Sequence, residues 1–346
     1  MTPSAIDPSR PERVAPALLE YLRAHLDAPR LTYAEAPQEI GDGWETHTFS
    51  FRPAGEGLPE PWQRPLILRM YPGDFDRGAE RVEREQSIQR FVRARGYPAP
   101  LPLAHEKDPS ILGLPFMIME RASGAMLMDA MSGRPWRVGG LVLRMVELHV
   151  RLHQLDVGGC PLPSEGTLAE RKLMEMRALA ASLGLGEPEG LAWLEAKKDI
   201  VMPEERSVCH NDFHPLNIVI DGEGGCCLID WSGAAVGDRH CDIATTLVVL
   251  RTAPFQGRNL FERLVHPLAR WLLVSGYQRR YRRRLPIDTA RLRYWEALRA
   301  FEWGLFLTAM RVVGPEGIGI KADTADRVPA DQIERLQRYF RQRAKG

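Results

Sequence analysis

The chain is most constrained around two short apolar runs, Ile218-Val219-Ile220 and Cys226-Cys227-Leu228-Ile229, which flank the turn-forming stretch Asp221-Gly222-Glu223-Gly224-Gly225. Apolar runs of this length on either side of Asp and Gly residues read as a β-hairpin. Asn217 enters that hairpin and Asp230 leaves it, so both side chains fall at its open end. Immediately upstream stands Cys209-His210-Asn211-Asp212-Phe213-His214-Pro215-Leu216. A carboxylate, an amide and a second carboxylate are thus gathered by one local fold. Asn217 and Asp230 offer the hard oxygen ligands that Mg²⁺ takes. Taken alone, either Asp212 or Asn217 reads first as a turn cap, the ordinary fate of Asp and Asn in loops. The whole constellation points instead to a metal-assisted site.

Transfer of a phosphoryl group between two oxygens leaves a protein little covalent chemistry to perform, so positioning and charge neutralisation carry the catalysis. His210-Asn211-Asp212 with Asn217, then Ile229-Asp230-Trp231 and Gly237-Asp238-Arg239-His240-Cys241-Asp242-Ile243-Ala244, resembles the aminoglycoside phosphotransferase family, a branch of the protein-kinase-like fold. The resemblance runs from about residue 31 to the C-terminal helices. One departure is Asn211, where the family usually has Gly. The resemblance implies an ATP-dependent phosphotransferase acting on a hydroxyl of a small molecule. Asp212 would accept or orient the hydroxyl proton, and Asn217 and Asp230 would hold Mg²⁺ on the phosphates. His214 either donates to the transferring phosphoryl oxygens or fixes the turn made with Pro215, and both readings stand. A catalytically inactive nucleotide-binding regulator of the same fold is the alternative, although such a chain would have lost at least one of Asp212, Asn217 and Asp230.

Upstream, the pattern gives an amphipathic helix over 11–26, then short strands at 31–34, 46–51, 65–71, 102–105 and 115–120, with one helix over 76–95. Three strands, a helix and two strands suit the small lobe of a kinase. The expected fold is therefore α+β and bilobal. It has an N-terminal helical extension (1–30), a nucleotide-binding lobe built on a small antiparallel sheet (31–121), and a larger, mainly helical catalytic and substrate-binding lobe (122–346). Gly41 and Gly43 lie between the first two strands, where backbone N–H groups could cover phosphates, or they simply turn a hairpin. Arg69 stands where the kinase pattern has its phosphate-pairing Lys, with Glu85 on the next helix as candidate ion-pair partner or a residue facing water. Glu120 and Ala122 would offer a backbone carbonyl and amide to the adenine edge. Met119 would pack on the purine or fill core.

A helix over 138–155 opens the larger lobe and carries His149 and His153 one turn apart, read as satisfied structural histidines for want of a third ligand nearby. Asp242, at the start of an apolar helical stretch, reads as structural, and the resemblance implies that it braces the Asp212 loop. Basic and acidic residues nearly cancel, at a formal charge of +1, which gives no reason to expect nucleic acid or an anionic membrane as partner. The arginines between 279 and 284 read as a solvated helix end. Five cysteines without a CxxC pair, no signal-peptide core and no long apolar stretch fit a cytoplasmic setting. Only eleven residues separate Asp230 from Asp242, too few to seat a peptide, so the expected acceptor is a small molecule. Basic residues outnumber acidic ones past Gly124, which lowers the polycationic-antibiotic reading modestly, and an aminoglycoside- or macrolide-like antibiotic and a hydroxylated metabolite both stay open as acceptor. The aromatics from Tyr294 to Phe306 either line a wall for a ring-bearing substrate or belong to the core. The sequence carries no signal for oligomeric state.

Overall fold

The computed structural model describes residues 10–345 apart from 42–44, 74, 134, 187, 254–259, 322–323 and 325–327. The chain divides into two compact units, one of Met1–Ala122 with Gly314–Ala325, the other of Ser123–Val313 with Asp326–Gly346.

The first unit is built on a five-stranded antiparallel sheet in the order β1-β2-β3-β5-β4. Its strands are β1 (Thr32–Glu39), β2 (His47–Ala54), β3 (Leu66–Met70), β4 (Pro102–Glu106) and β5 (Phe116–Glu120). Alternation along β3 divides the core in two, as the period of a strand requires. Leu66, Leu68 and Met70 face one side with Phe49, Phe51, Phe116 and Ile118. Helix α1 (Pro11–His25) covers that side by burying Val14, Leu18 and Leu22, the same stripe that marks it as amphipathic in the sequence. Ile67 and Tyr71 face the other side, where Met117, Met119 and Val82 of helix α2 (Phe75–Ala94) pack against them. Residues from near the C-terminus complete the unit. Lys321 pairs with Glu39 at 3.0 Å, and the Gly319 carbonyl accepts from Arg81 at 3.3 Å.

The second unit begins with β6 (Ala125–Met126) and α3 (Leu127–Gly133). Gly124, at φ +127°, lies so close to the hairpin that a Cβ there would stand 2.1 Å from the Ile220 carbonyl oxygen. There follow α4 (Val138–His153), α5 (Leu168–Ser182), α6 (Glu189–Ala196) and the three-residue strand β7 (Ser207–Cys209). The expected hairpin is present as β8 (Ile218–Ile220) and β9 (Cys226–Leu228), with β6 on its outer edge. Strand β10 (Ala235–Gly237) pairs with β7. Four helices close the unit: α7 (Arg239–Thr252), α8 (Leu260–Arg282), α9 (Thr289–Val313) and α10 (Gln332–Ala344). Helix α7 is buried almost all round, α9 packs on both α7 and α10, and α8 packs on α4. Tyr294 and Trp295 are buried within α9, so these two belong to the core rather than to a substrate wall. No described helix is long and apolar enough to cross a membrane.

Candidate active site

The register of the hairpin fixes the geometry of the candidate site. Ile218 pairs with Leu228, and the next bond outward runs from the Ile229 N–H to the Asn217 carbonyl at 2.9 Å. Asp230 follows at φ +64°, a left-handed conformation that residues other than Gly adopt at a cost and that concentrates at functional sites. Its carboxylate accepts from Ser232 Oγ at 3.2 Å. Asn217 Nδ2 donates to the Asp212 carboxylate at 2.7 Å and to the Asp212 carbonyl at 2.9 Å. With the amide nitrogen committed in this way, the amide oxygen is the atom Asn217 has to offer a cation. His214 Nε2 lies 3.2 Å from the other Asp212 oxygen. The structure therefore brings Asp212, His214 and Asn217 into direct contact.

Burial alone would raise the Asp212 pKa, but His214, His210 and the Asn217 amide favour the ionised form and bring it down to about 2. The Asp212 side chain is 36% exposed, so solvent screens part of this effect. His214 shows the converse balance. Burial favours its neutral form, and the facing Asp212 carboxylate outweighs that and raises its pKa.

The loop carrying Asp212 is held from behind by Asp242. Its Oδ2 accepts the His210 N–H at 2.6 Å and its Oδ1 accepts the Asn211 N–H at 2.9 Å. His149 Nε2 and His153 Nε2 both lie 3.2 Å from Oδ2. Their other ring nitrogens meet the Tyr277 and Tyr281 hydroxyls at 2.7 and 2.6 Å. Asp242 is thus the third group that the two histidines lack in sequence, and it comes from a residue far along the chain. All three could ligate a metal by spacing. The carboxylate, however, already meets two backbone N–H groups and two imidazoles, and the tyrosines engage the rest of the rings. Those contacts make the cluster a brace for the loop. Burial first, and neighbouring His149 second, push the His153 pKa down to about 4, so its ring is neutral near pH 7. His210 is fully buried, with its Nε2 3.1 Å from the Ile229 carbonyl, and so ties the loop to the hairpin. Asp238 caps α7 through the His240 N–H and accepts from Trp295 Nε1 at 3.0 Å.

In the sheet unit, Arg69 Nη1 donates to Glu85 Oε1 at 2.7 Å and the Tyr71 hydroxyl to Glu85 Oε2 at 2.8 Å. Glu85 is wholly buried, so it faces the sheet and not water. Met119 is buried among Ile67, Tyr71, Val82 and Met117, with its sulfur 3.7 Å from Gln89 Nε2. Glu120 donates its N–H to the Leu101 carbonyl and receives Arg93 at 3.4 Å, and Ala122 is the last residue before the second unit. Gly41 adopts φ +76° with open space about its α-carbon, while Gly43 lies outside the described residues. Sequence reasoning passed over Tyr71, Arg299 and the tyrosine pair on α8. Each reaches its partner through tertiary packing and leaves no local pattern.

Several known proteins share this architecture. A crystal structure of a Ralstonia eutropha JMP134 protein titled for aminoglycoside phosphotransferase aligns at TM-score 0.62 with 18% identity, covering 94% of this chain and 98% of that one. A variant of aminoglycoside phosphotransferase APH(4)-Ia, crystallised with ADP and hygromycin B, gives 0.59 and 17% over 94% and 98%. Choline kinase LicA of Streptococcus pneumoniae gives 0.58 and 12% over 95% and 98%. At these identities the likeness is one of fold. In sequence, acyl-CoA dehydrogenase family member 10 of Mus musculus is 25% identical over 241 residues, 66% of this chain but 21% of that protein. The chain spans about a fifth to a quarter of the length of the curated relatives it matches. The family model described as phosphotransferase enzyme family (APH) matches residues 36–301, most of both units. On that match the chain belongs to the phosphotransferase enzyme family.

Proposed function

We propose that the protein transfers a phosphoryl group from ATP to a hydroxyl of a small molecule. The observation that carries this reading is the contact of Asp212 with Asn217 at 2.7 Å, where Asn217 enters the hairpin that Asp230 leaves. Asp212 is the group that receives or orients the proton of the acceptor hydroxyl. Its low pKa keeps it ionised, and its bonds to Asn217 and His214 fix its direction. His214, whose protonated form the facing Asp212 carboxylate favours, is suited to the phosphoryl oxygens.

The residues fit a divalent cation by donor chemistry. Asn217 offers a free amide oxygen and Asp230 a carboxylate, both hard ligands. They would hold Mg²⁺, which when bound neutralises phosphate charge. In the sheet unit Arg69, steadied by Glu85, is the cation for the phosphates, and Gly41 and Gly43 provide loop N–H groups. Glu120 and Ala122 provide the backbone edge for adenine, and Met119 fills core beside Val82 of α2. We assign nucleotide binding to 31–121, catalysis and acceptor binding to 122–346, and an extension to 1–30, in a cytoplasmic setting.

For the acceptor we place a hydroxylated metabolite first, and among these a hydroxylated acyl thioester. What supports this is that the curated relatives are named as acyl-CoA dehydrogenase family members, and that the matched portion is about a fifth of the first of them. Aminoglycosides and choline, the acceptor classes named among the structural neighbours, are the competitors.

The test is incubation of the protein with Mg²⁺-ATP and a panel holding hydroxyacyl-CoA thioesters, choline and an aminoglycoside, read by mass spectrometry for a gain of one phosphate. A phosphorylated thioester supports the whole reading, and a phosphorylated competitor replaces only the acceptor. A thermal shift with Mg²⁺-ATP and no transfer across the panel would leave the inactive regulator as the better description.

A further inference from the structure

Asn211, the residue before Asp212, has φ +60° and is almost fully buried. A left-handed residue turns its carbonyl away from the local chain, and a buried carbonyl needs a donor. Arg299 supplies it from α9. Its Nη2 donates to the Asn211 carbonyl at 3.1 Å. Its Nε donates to Thr245 Oγ1 at 2.8 Å, and Nη1 donates to Glu302. Glu302 is in turn held by Lys172 at 2.9 Å, and the guanidinium lies 5.6 Å from the Trp303 ring centre. Arg299 is itself 5% exposed.

A guanidinium is planar, so two fixed partners determine where its remaining donor points. Thr245 and Glu302 are those partners, and the third donor falls on the peptide that joins Asn211 to Asp212. The other end of Asn211 is equally fixed, with its N–H on Asp242 and its Nδ2 on the Gly233 carbonyl at 3.0 Å. Helix α7 supplies both Asp242 and Thr245, and therefore both anchors.

We propose that Arg299 is a positioning residue: by holding the Asn211–Asp212 peptide from α9, it sets the aim of the Asp212 carboxylate. This rests on reading Asp212 as the group that meets the acceptor hydroxyl. A shift of that carboxylate by a fraction of an ångström degrades in-line geometry while leaving nucleotide binding alone.

The experiment compares wild type with Arg299→Lys, Thr245→Val and the double variant Arg299→Met/Glu302→Gln, which removes both partners of the Arg299–Glu302 pair and leaves Lys172 an amide oxygen to bond. Expected for the double variant is a kcat lower by roughly tenfold to a hundredfold per folded molecule, with the KM for ATP little changed. Arg299→Lys keeps the charge but lacks the fork and should fail to restore kcat, and Thr245→Val should lower it more mildly. Hydrogen exchange read by mass spectrometry should show protection lost selectively over residues 210–213. A folded double variant with wild-type kcat and unchanged exchange there overturns the proposal. Should that variant not fold, full kcat in Arg299→Lys overturns it. The exchange measurement needs no turnover, so a wild type that transfers no phosphate refutes the proposed function without deciding the role of Arg299.

Discussion

Replacing Asp242 by Asn is the sharpest test of how the Asp212 loop is held, because it changes charge and hydrogen bonding at nearly constant shape. Asp242 is fully buried and accepts two consecutive backbone N–H groups, those of His210 and Asn211, one on each oxygen. An amide can accept on one side only. Its NH₂ would face the second N–H and leave a buried donor unpaired. A hydrogen bond to a charged group is worth about 1.5–3 kcal/mol, and an orphaned donor costs about 1–3 kcal/mol. Taken together, and with weaker acceptance from His149 and His153, these terms put the expected destabilisation at about 3–5 kcal/mol. At roughly 2–4 °C per kcal/mol for a unit of this size, Tm should fall by on the order of 10 °C. Urea unfolding followed by circular dichroism measures the first quantity and calorimetry the second. A loss below about 1 kcal/mol would refute the reasoning, since it would mean the loop N–H groups find other partners at little cost.

Acid should act on the same cluster. Burial works against the charged form of Asp242, but the facing histidines hold its carboxyl well below the ordinary range. Its contribution is present above the unfolded value near about 3.9 and is lost as pH falls through the folded value. His153 runs in the same sense from higher pH. Its folded pKa of about 4 lies below the unfolded value, so stability declines as pH drops from about 6.5 towards 4. Equilibrium unfolding across this window should show the decline, and Asp242→Asn should flatten its lower part. Asp212→Asn should reduce transfer by about 10²–10⁴-fold while nucleotide affinity measured by calorimetry holds. Arg69→Met strands buried Glu85 and should cost about 3–5 kcal/mol, much of it recovered on adding Glu85→Gln. Asn211→Gly should be close to neutral in urea unfolding, because the relief of about 1–2 kcal/mol at a left-handed residue offsets the lost bond to Gly233. Asn211→Ala gains no such relief and should be clearly destabilised in the same assay.

Local features of this fold are legible in the sequence because local chemistry dictates them. The hairpin follows from Asp221 to Gly225 set between apolar runs, and the stripe Val14, Leu18, Leu22 marks α1 as soon as the period is counted. The five strands of the sheet and α2 fall within a few residues of where alternation puts them. Strands β6, β7 and β10 escape the pattern, since two or three residues are too few to show a period. The support of the candidate site is also hidden. His153 and Asp242 lie 89 residues apart, and Arg299 and Asn211 lie 88 apart. Such pairs are joined by packing of α4, α7 and α9, which no spacing rule anticipates. The aromatics of α9 illustrate the reverse difficulty, because periodicity alone cannot tell a helix face that meets core from one that meets substrate.

The segment Gly314–Ala325 has a bearing on how the protein is made. The sheet unit takes its first 122 residues early, but its last piece emerges only after about 190 further residues have been added. At roughly 5–20 residues per second a ribosome needs on the order of ten to forty seconds to cover that distance. During this interval Glu39 and Arg81 wait without their later partners Lys321 and Gly319. A nascent chain stalled at about residue 200 should accordingly expose that edge to a protease, and the same edge should become resistant once synthesis has passed residue 325.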